Sequence, residues 1–268
     1  MQRLFRLSWL CSIALAGCAT APAPVPPALL PYADAARFLL PGFQSVAFGR
    51  LERVPDDGGP ARIDRAAWCG SDFESPGGVG VGPFRGIWVT DRGHEGLRGE
   101  PPVGEPDQPI GQTAIWRDRT VRRDGAVIHT FVAHVEERFI VWSHDRELLA
   151  RALGRPGELS TLIRPFAAVR LIPRDADAVA CLLFRPGDEL RFWGRLIPRE
   201  TTVVAGCGRR IMLFHREQLP EGFLEMFALA VPPSTTSRDG WLVSELTVSA
   251  DVHLELLWLC LAGLAIFM

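Results

Sequence analysis

"QTAIWRDRTVRRDGAVIHTFVAHVEERFIVWSH", residues Gln112 to His144, is the stretch from which the fold is read. Two strand-like runs flank Asp124-Gly125, a pair that tolerates the positive φ of a tight hairpin turn. Glu136-Glu137 marks a second reversal, so three antiparallel strands are expected to follow one another as a meander. "DRELLARAL" then changes the period: Leu148, Leu149, Ala152 and Leu153 fall on one helical face, with Gly154 just past its end.

Parts of this pattern recur. Thr130 to Trp142, "TFVAHVEERFIVW", lies without gaps over Thr202 to Phe214, "TVVAGCGRRIMLF". Upstream, "LLPGFQSVAFGRL" from Leu39 echoes "LIPRDADAVACLL" from Leu171. Either the chain carries two related halves, about 37–170 and 171–268, or amphipathic strands resemble one another by chance. Further strands are expected near Ala178–Phe184, Thr201–Cys207, Ile211–His215 and Trp241–Val248. The fold class expected is α+β: an antiparallel sheet from two loosely similar halves, with helices packed on one face.

On the duplication reading, the first half carries extra segments dense in Gly and Pro: "PDDGGP", "SPGGVGVGPFRG" and "DRGHEGLRGEPPVGEPDQPIG". Long loops of that composition are functional or mobile. A binding surface is therefore expected between Arg92 and Gly111, with Arg92, His94, Glu95 and Arg98 as its candidate residues. The glycines at 78, 80, 82 and 86 miss the phosphate-loop spacing, and "FRGIWVT" continues as a strand instead.

At the other end of the chain, Arg3 and Arg6 precede a short apolar run from Leu7 to Leu15, followed by Leu15-Ala16-Gly17-Cys18. The run is about half the roughly 20 residues that a bilayer crossing needs. That order resembles the lipobox signal of bacterial lipoproteins; the other reading is an ordinary cleaved signal with an incidental cysteine. The resemblance covers the first 18 residues and implies a signal peptide at 1–17, cleavage before Cys18, and a diacylglycerol on its sulfur. Ala19, rather than Asp, in the next position implies the outer membrane, facing the periplasm. Ala19 to Pro31, "ATAPAPVPPALLP", reads as an extended proline-rich tether, so that 18–31 forms the lipidated anchor and 32–268 the globular domain. At ~3.1 Å per residue such a tether would hold the body roughly 40 Å from the lipid.

Hydrophobic residues at 47% and charged residues at 22% describe a chain able to bury a core, and the net charge of −2 gives no reason to expect nucleic acid. The chain contains no lysine, which excludes Schiff-base chemistry. Of the cysteines, Cys181 and Cys260 sit in apolar runs, so buried free thiols are expected ahead of disulfides among Cys69, Cys181, Cys207 and Cys260. No Cys/His spacing points to a metal, no cofactor is implied, and no motif nominates a catalytic residue. His129 and His134 fall on opposite strand faces, while His144, Asp145 and Glu147 are placed to cap a helix.

Two surface features have a ligand reading beside a structural one. Arg117, Arg119, Arg122 and Arg123 form a basic cluster partly neutralised by Asp118 and Asp124, and read as a solvated hairpin tip. Trp88, Trp116 and Trp142 suit sugar stacking if they form an exposed row, but their apolar neighbours assign them to the core. Leu256 to Met268 is an apolar run too short to span a bilayer, expected in the core or dipping into the membrane. The expected function is a non-catalytic envelope lipoprotein whose partners are the membrane, through the lipid, and an envelope protein or glycan. An envelope hydrolase with a site assembled from loops, and a small-ligand carrier, are the alternatives.

Overall fold

The computed structural model describes residues 24–43, 45–53, 62–70, 86–93, 96–97, 102–121, 125–182, 191–192, 195–196, 202–216, 233–249 and 251–252. The first half contributes β1 (Ser45–Arg53), β2 (Arg62–Gly70), β3 (Gly86–Asp91), β4 (Glu105–Ile110), β5 (Thr113–Val121), β6 (Val127–Val135) and β7 (Phe139–Ser143). The second contributes β8 (Ala178–Leu182), β9 (Arg191–Phe192), β10 (Arg195–Leu196), β11 (Thr202–Cys207), β12 (Arg210–His215), β13 (Ser234–Arg238) and β14 (Trp241–Thr247). Among these residues twelve strands form one open sheet in the order β13-β14-β12-β11-β8-β1-β2-β3-β7-β6-β5-β4, and β9 with β10 forms a separate pair. Every pairing is antiparallel. The helices are few and short: α1 (Ala33–Ala36), α2 (Arg146–Gly154) and α3 (Leu159–Ile163), with 3-10 helices at Pro27–Tyr32 and Ala167–Leu171.

The expected meander is present as β5-β6-β7. Glu136 and Glu137 turn between its last two strands with φ of 54° and 52°, the left-handed pair of a primed turn, and Arg138 completes the three-residue connection. Asp145 caps α2, its carboxylate accepting the amides of Glu147 at 2.9 Å and Leu148 at 3.2 Å. His144 does not join that cap. Its Nδ1–H donates to the His129 carbonyl at 3.3 Å and lies 3.1 Å from the Thr130 hydroxyl.

Burial follows the strand period at the edge and departs from it in the middle. In β1, β2, β3, β7, β8, β11 and β12 the residues of the main apolar cluster alternate: Val46 and Phe48, Ala67 and Cys69, Ile87 and Val89, Phe139 and Val141, Val179 and Cys181, Val203 and Ala205, Met212 and Phe214. Register places them side by side on one face. Leu29, Tyr32, Leu39, Leu148, Leu149 and Leu162 from the helical segments belong to the same cluster. Yet Ala47, Ala66, Trp68, Ala180, Val204 and Ile211, which point the other way, are buried as well. Burial on both faces explains why these strands read as near-continuous apolar runs rather than alternating ones. Each large side chain such as Phe48, wholly enclosed, contributes about 1.5–3 kcal/mol.

Two expectations change. The loop expected from Arg92 to Gly111 contains a strand, β4; Pro106 and Pro109 hid it, and they are tolerated because β4 ends the sheet and its register shifts between Asp107 and Ile110. The strand expected from "FRGIWVT" is present as β3, and β2 is a further strand between it and β1. The proline-rich stretch is not extended to Pro31: it turns into a 3-10 helix at Pro27, and Ala28 and Leu29 enter the core. The fixed φ of proline suits a helix start as well as an extended chain, and apolar contact decides between them.

The two sequence echoes fare differently in space. Short helices lead into both β1 and β8, which pair with each other through Val46↔Cys181 and Ala47↔Ala180. The hairpins are not equivalent: β11 pairs directly with β8, whereas β6 is separated from β1 by β2, β3 and β7. By sheet position β11–β12 corresponds to β2–β3, not to β6–β7.

Candidate functional site

Of the residues expected to form a binding loop, Arg92 is described and His94, Glu95 and Arg98 lie outside the described residues, as does Cys18. Arg92 is committed to the fold. Its guanidinium binds the carboxylate of Asp64, a buried residue of β2, and its amide donates to the Arg138 carbonyl at 3.0 Å. Beside it Asp91, at 2% exposure, accepts two bonds from Arg138, Nε to Oδ1 at 2.6 Å and Nη2 to Oδ2 at 2.7 Å. Asp91 also takes the Gly93 amide at 2.8 Å, and Arg138 reaches Asp34 at 3.0 Å. The hydrogen bonds that Arg138 donates to Asp91 are the main cause that raises its pKa.

Phe139 lies under this network. The guanidinium groups of Arg37 and Arg138 sit 4.9 and 4.7 Å from its ring centroid, and Phe38 packs at 5.2 Å. Arg37 also binds Glu136, and the Leu97 amide donates to the Glu137 carbonyl at 2.8 Å. Asp64 and Asp91 are thus each held by an arginine. The region is a clasp that ties strand ends together.

Trp68, Trp88, Trp142 and Trp116 form a row, whereas Trp241 joins the main apolar cluster. Register aligns Trp68 with Trp88, Trp88 with Trp142, Trp142 with Val132, and Val132 with Trp116 across β2, β3, β7, β6 and β5. All lie on the face opposite the main cluster. Trp68 is buried, while Trp88, Trp142 and Trp116 are half-buried. Trp88 and Trp142 stack at 5.8 Å and 22°, and rings of His144 and His134 tilt against Trp142 and Trp116. Of the four in this row, core packing accounts fully for Trp68 alone; the other three rings lie along the sheet surface.

An open cleft of about 490 Å³ lies at the outer edge, lined by Gly104, Glu105, Arg117, Asp118, Arg119, Val127 and His129. Strand alternation sorts the charges of "RDRTV": Arg117 and Arg119 share one face, and Asp118 belongs to the other, its Oδ1 accepting the Arg119 amide at 2.8 Å. Summing these charges along the sequence therefore understates the basic character of that face. Glu105 stands opposite Arg117, and His129 stands opposite Arg119. The signal for this site was present as an i, i+2 pair of arginines in a strand. A larger opening of about 970 Å³ borders Pro41, α2 and α3, but Arg151, Arg155, Glu158 and Thr161 around it are all exposed and build no enclosed site.

His129 and His134 occupy opposite faces, as alternation requires. Burial lowers the His144 pKa. Among the described residues no three His, Cys, Asp or Glu side chains gather where one ion would meet them all. Cys69, Cys181 and Cys207 are free and buried, and Cys260 lies outside the described residues. Cys69 and Cys181 sit on the two strands that flank β1, both opposite Val46, so roughly 10 Å separates them, beyond the reach of a disulfide. Burial pushes the Cys69 thiol up to about 12 and Cys207 to about 11, so neither is a reactive thiolate near neutral pH. No helix among the described residues is long and apolar enough to cross a membrane. No family model matches the chain, and no curated protein or solved structure matches it either.

Proposed function

We propose that this chain is an envelope lipoprotein, anchored to the outer membrane through an acylated Cys18 and facing the periplasm, whose sheet domain binds a partner without catalysis. The observation that carries the anchor is the order Arg3, Arg6, an apolar run and Leu15-Ala16-Gly17-Cys18. The partner is an envelope protein or a glycan. Two features support binding over turnover: Asp64 and Asp91 are held by arginines, and the outer cleft offers cations beside exposed apolar side chains. The finer architecture belongs to the same proposal. Two loosely similar halves meet at the β1–β8 pair, and the short helices cover one face of the sheet. Helical residues share a cluster with one alternating set of strand residues, which supports that arrangement.

Mass spectrometry of protein from its native host tests the anchor: the N-terminal peptide is expected to begin at Cys18 and to carry a diacylglycerol thioether. A Cys18→Ser chain is expected to leave the membrane fraction. An unmodified Cys18 overturns the proposal.

A further inference from the structure

We propose that two copies of this chain pair through their β13 edges, antiparallel about a two-fold axis at Thr236, so that the sheet runs on from one copy into the other. The two ends of the sheet are built differently. β4 carries Pro106, Pro109 and a register shift, devices that stop another strand from adding. β13 is Ser234-Thr235-Thr236-Ser237-Arg238, without proline or bulge, and every one of its side chains is exposed. Asp239 and Gly240, with φ of 51° and 77°, make a two-residue turn, so Arg238 and Trp241 are a hydrogen-bonded pair, and Thr236 with Val243 is the next. Thr235 and Ser237 therefore turn their N–H and C=O groups to the outer edge, where no strand meets them among the described residues. A two-fold axis at Thr236 sets Thr235 opposite the partner's Ser237, a pair that exchanges two backbone hydrogen bonds. It also sets Thr236 opposite its own copy, a favourable threonine pair. On that face the same register gives the row Trp241, Arg238, the partner's Ser234, the partner's Glu245. The short serine lets arginine and glutamate, opposite in charge, approach over it; within its own chain Glu245 meets only Arg210, at 3.5 Å. Any other edge pairing between copies would use β4, whose prolines block it, so association through β13 closes as a dimer instead of growing as a fibre.

The pairing needs nothing from the lipid anchor, so the test uses the full chain with Cys18→Ser as parent, adds cysteines to it and oxidises it mildly. A strand edge is small against the ~1,000 Å² of a stable interface, so the dimer is reversible and a covalent trap reads it. In this register the two Thr236 Cα atoms lie about 4.5 Å apart, within disulfide reach, whereas the two Ser234 positions are roughly 14 Å apart. Thr236→Cys is expected to give a covalent dimer that peptide mapping shows linked from position 236 to position 236. Ser234→Cys is expected to give none beyond the parent's, and Ser234→Cys with Arg238→Cys to restore it, linked 234 to 238. Ser237→Pro removes an outward N–H and no bond to β14. It is expected to lower the Thr236→Cys yield about tenfold, with far-UV circular dichroism unchanged. The proposal is overturned if Thr236→Cys gives no more dimer than the parent, if Ser234→Cys crosslinks as well as Thr236→Cys, or if Ser237→Pro leaves the yield unchanged. None of these outcomes depends on whether Cys18 is acylated in the host, which the mass measurement decides separately.

Discussion

At the β6–β7 turn Arg138 has the buried carboxylate of Asp91 on one side and the ring of Phe139 below it; at the outer end of the sheet Arg119 faces His129 across the ladder and borders an open cleft. The two arginines differ in what surrounds them, not in chemistry. At that turn, a charge brought close to the core is matched by an acid and stacked on an aromatic face. At the edge, water screens the same group at almost no cost, and it stays available to a ligand. The comparison separates where this fold is held together from where it presents chemistry.

Four substitutions break or sharpen that contrast. Phe139→Ala removes the ring shared by both guanidinium groups and is expected to cost about 4 kcal/mol, read as a lowered urea midpoint. Asp91→Ala leaves Arg138 without its main acceptor; because Arg138 keeps some access to water, the loss is expected near 3 kcal/mol in the same measurement. Glu137→Gly acts in the opposite direction. It relieves a side chain held at positive φ, and a gain of about 1 kcal/mol is expected from thermal or urea unfolding. Arg119→Ala is expected to change stability by less than about 0.5 kcal/mol. Should Arg119→Ala cost as much as Asp91→Ala, the edge would be part of the clasp's kind of structure and the contrast would fail.

The sequence made the β5-β6-β7 meander and α2 legible because local signals agreed there: turn residues, an acid at the helix cap and a clean change of period. It concealed β4, whose prolines read as loop and are allowed only at the edge of a sheet, a position no local pattern reports. The hairpin echo is matched only locally: Thr130–Trp142 and Thr202–Phe214 both fold as antiparallel hairpins, while the neighbours each one pairs with differ and are set by long-range closure. At the candidate site, the basic hairpin was visible as composition, but only strand alternation placed Arg117 and Arg119 together and sent Asp118 the other way. Arg92 was visible as a loop cation; its bond to Asp64 depends on β2 lying beside β3.

Backbone preference and side-chain period by themselves determined that this chain forms antiparallel strands with a capped helix, because those quantities act over a few residues. Which strands become neighbours, whether the prolines at 26 and 27 lead outward or into the core, and which arginines meet a carboxylate were decided only by the tertiary structure. Those outcomes depend on burial and on charges brought together from distant parts of the chain, and neither exists until the sheet has closed.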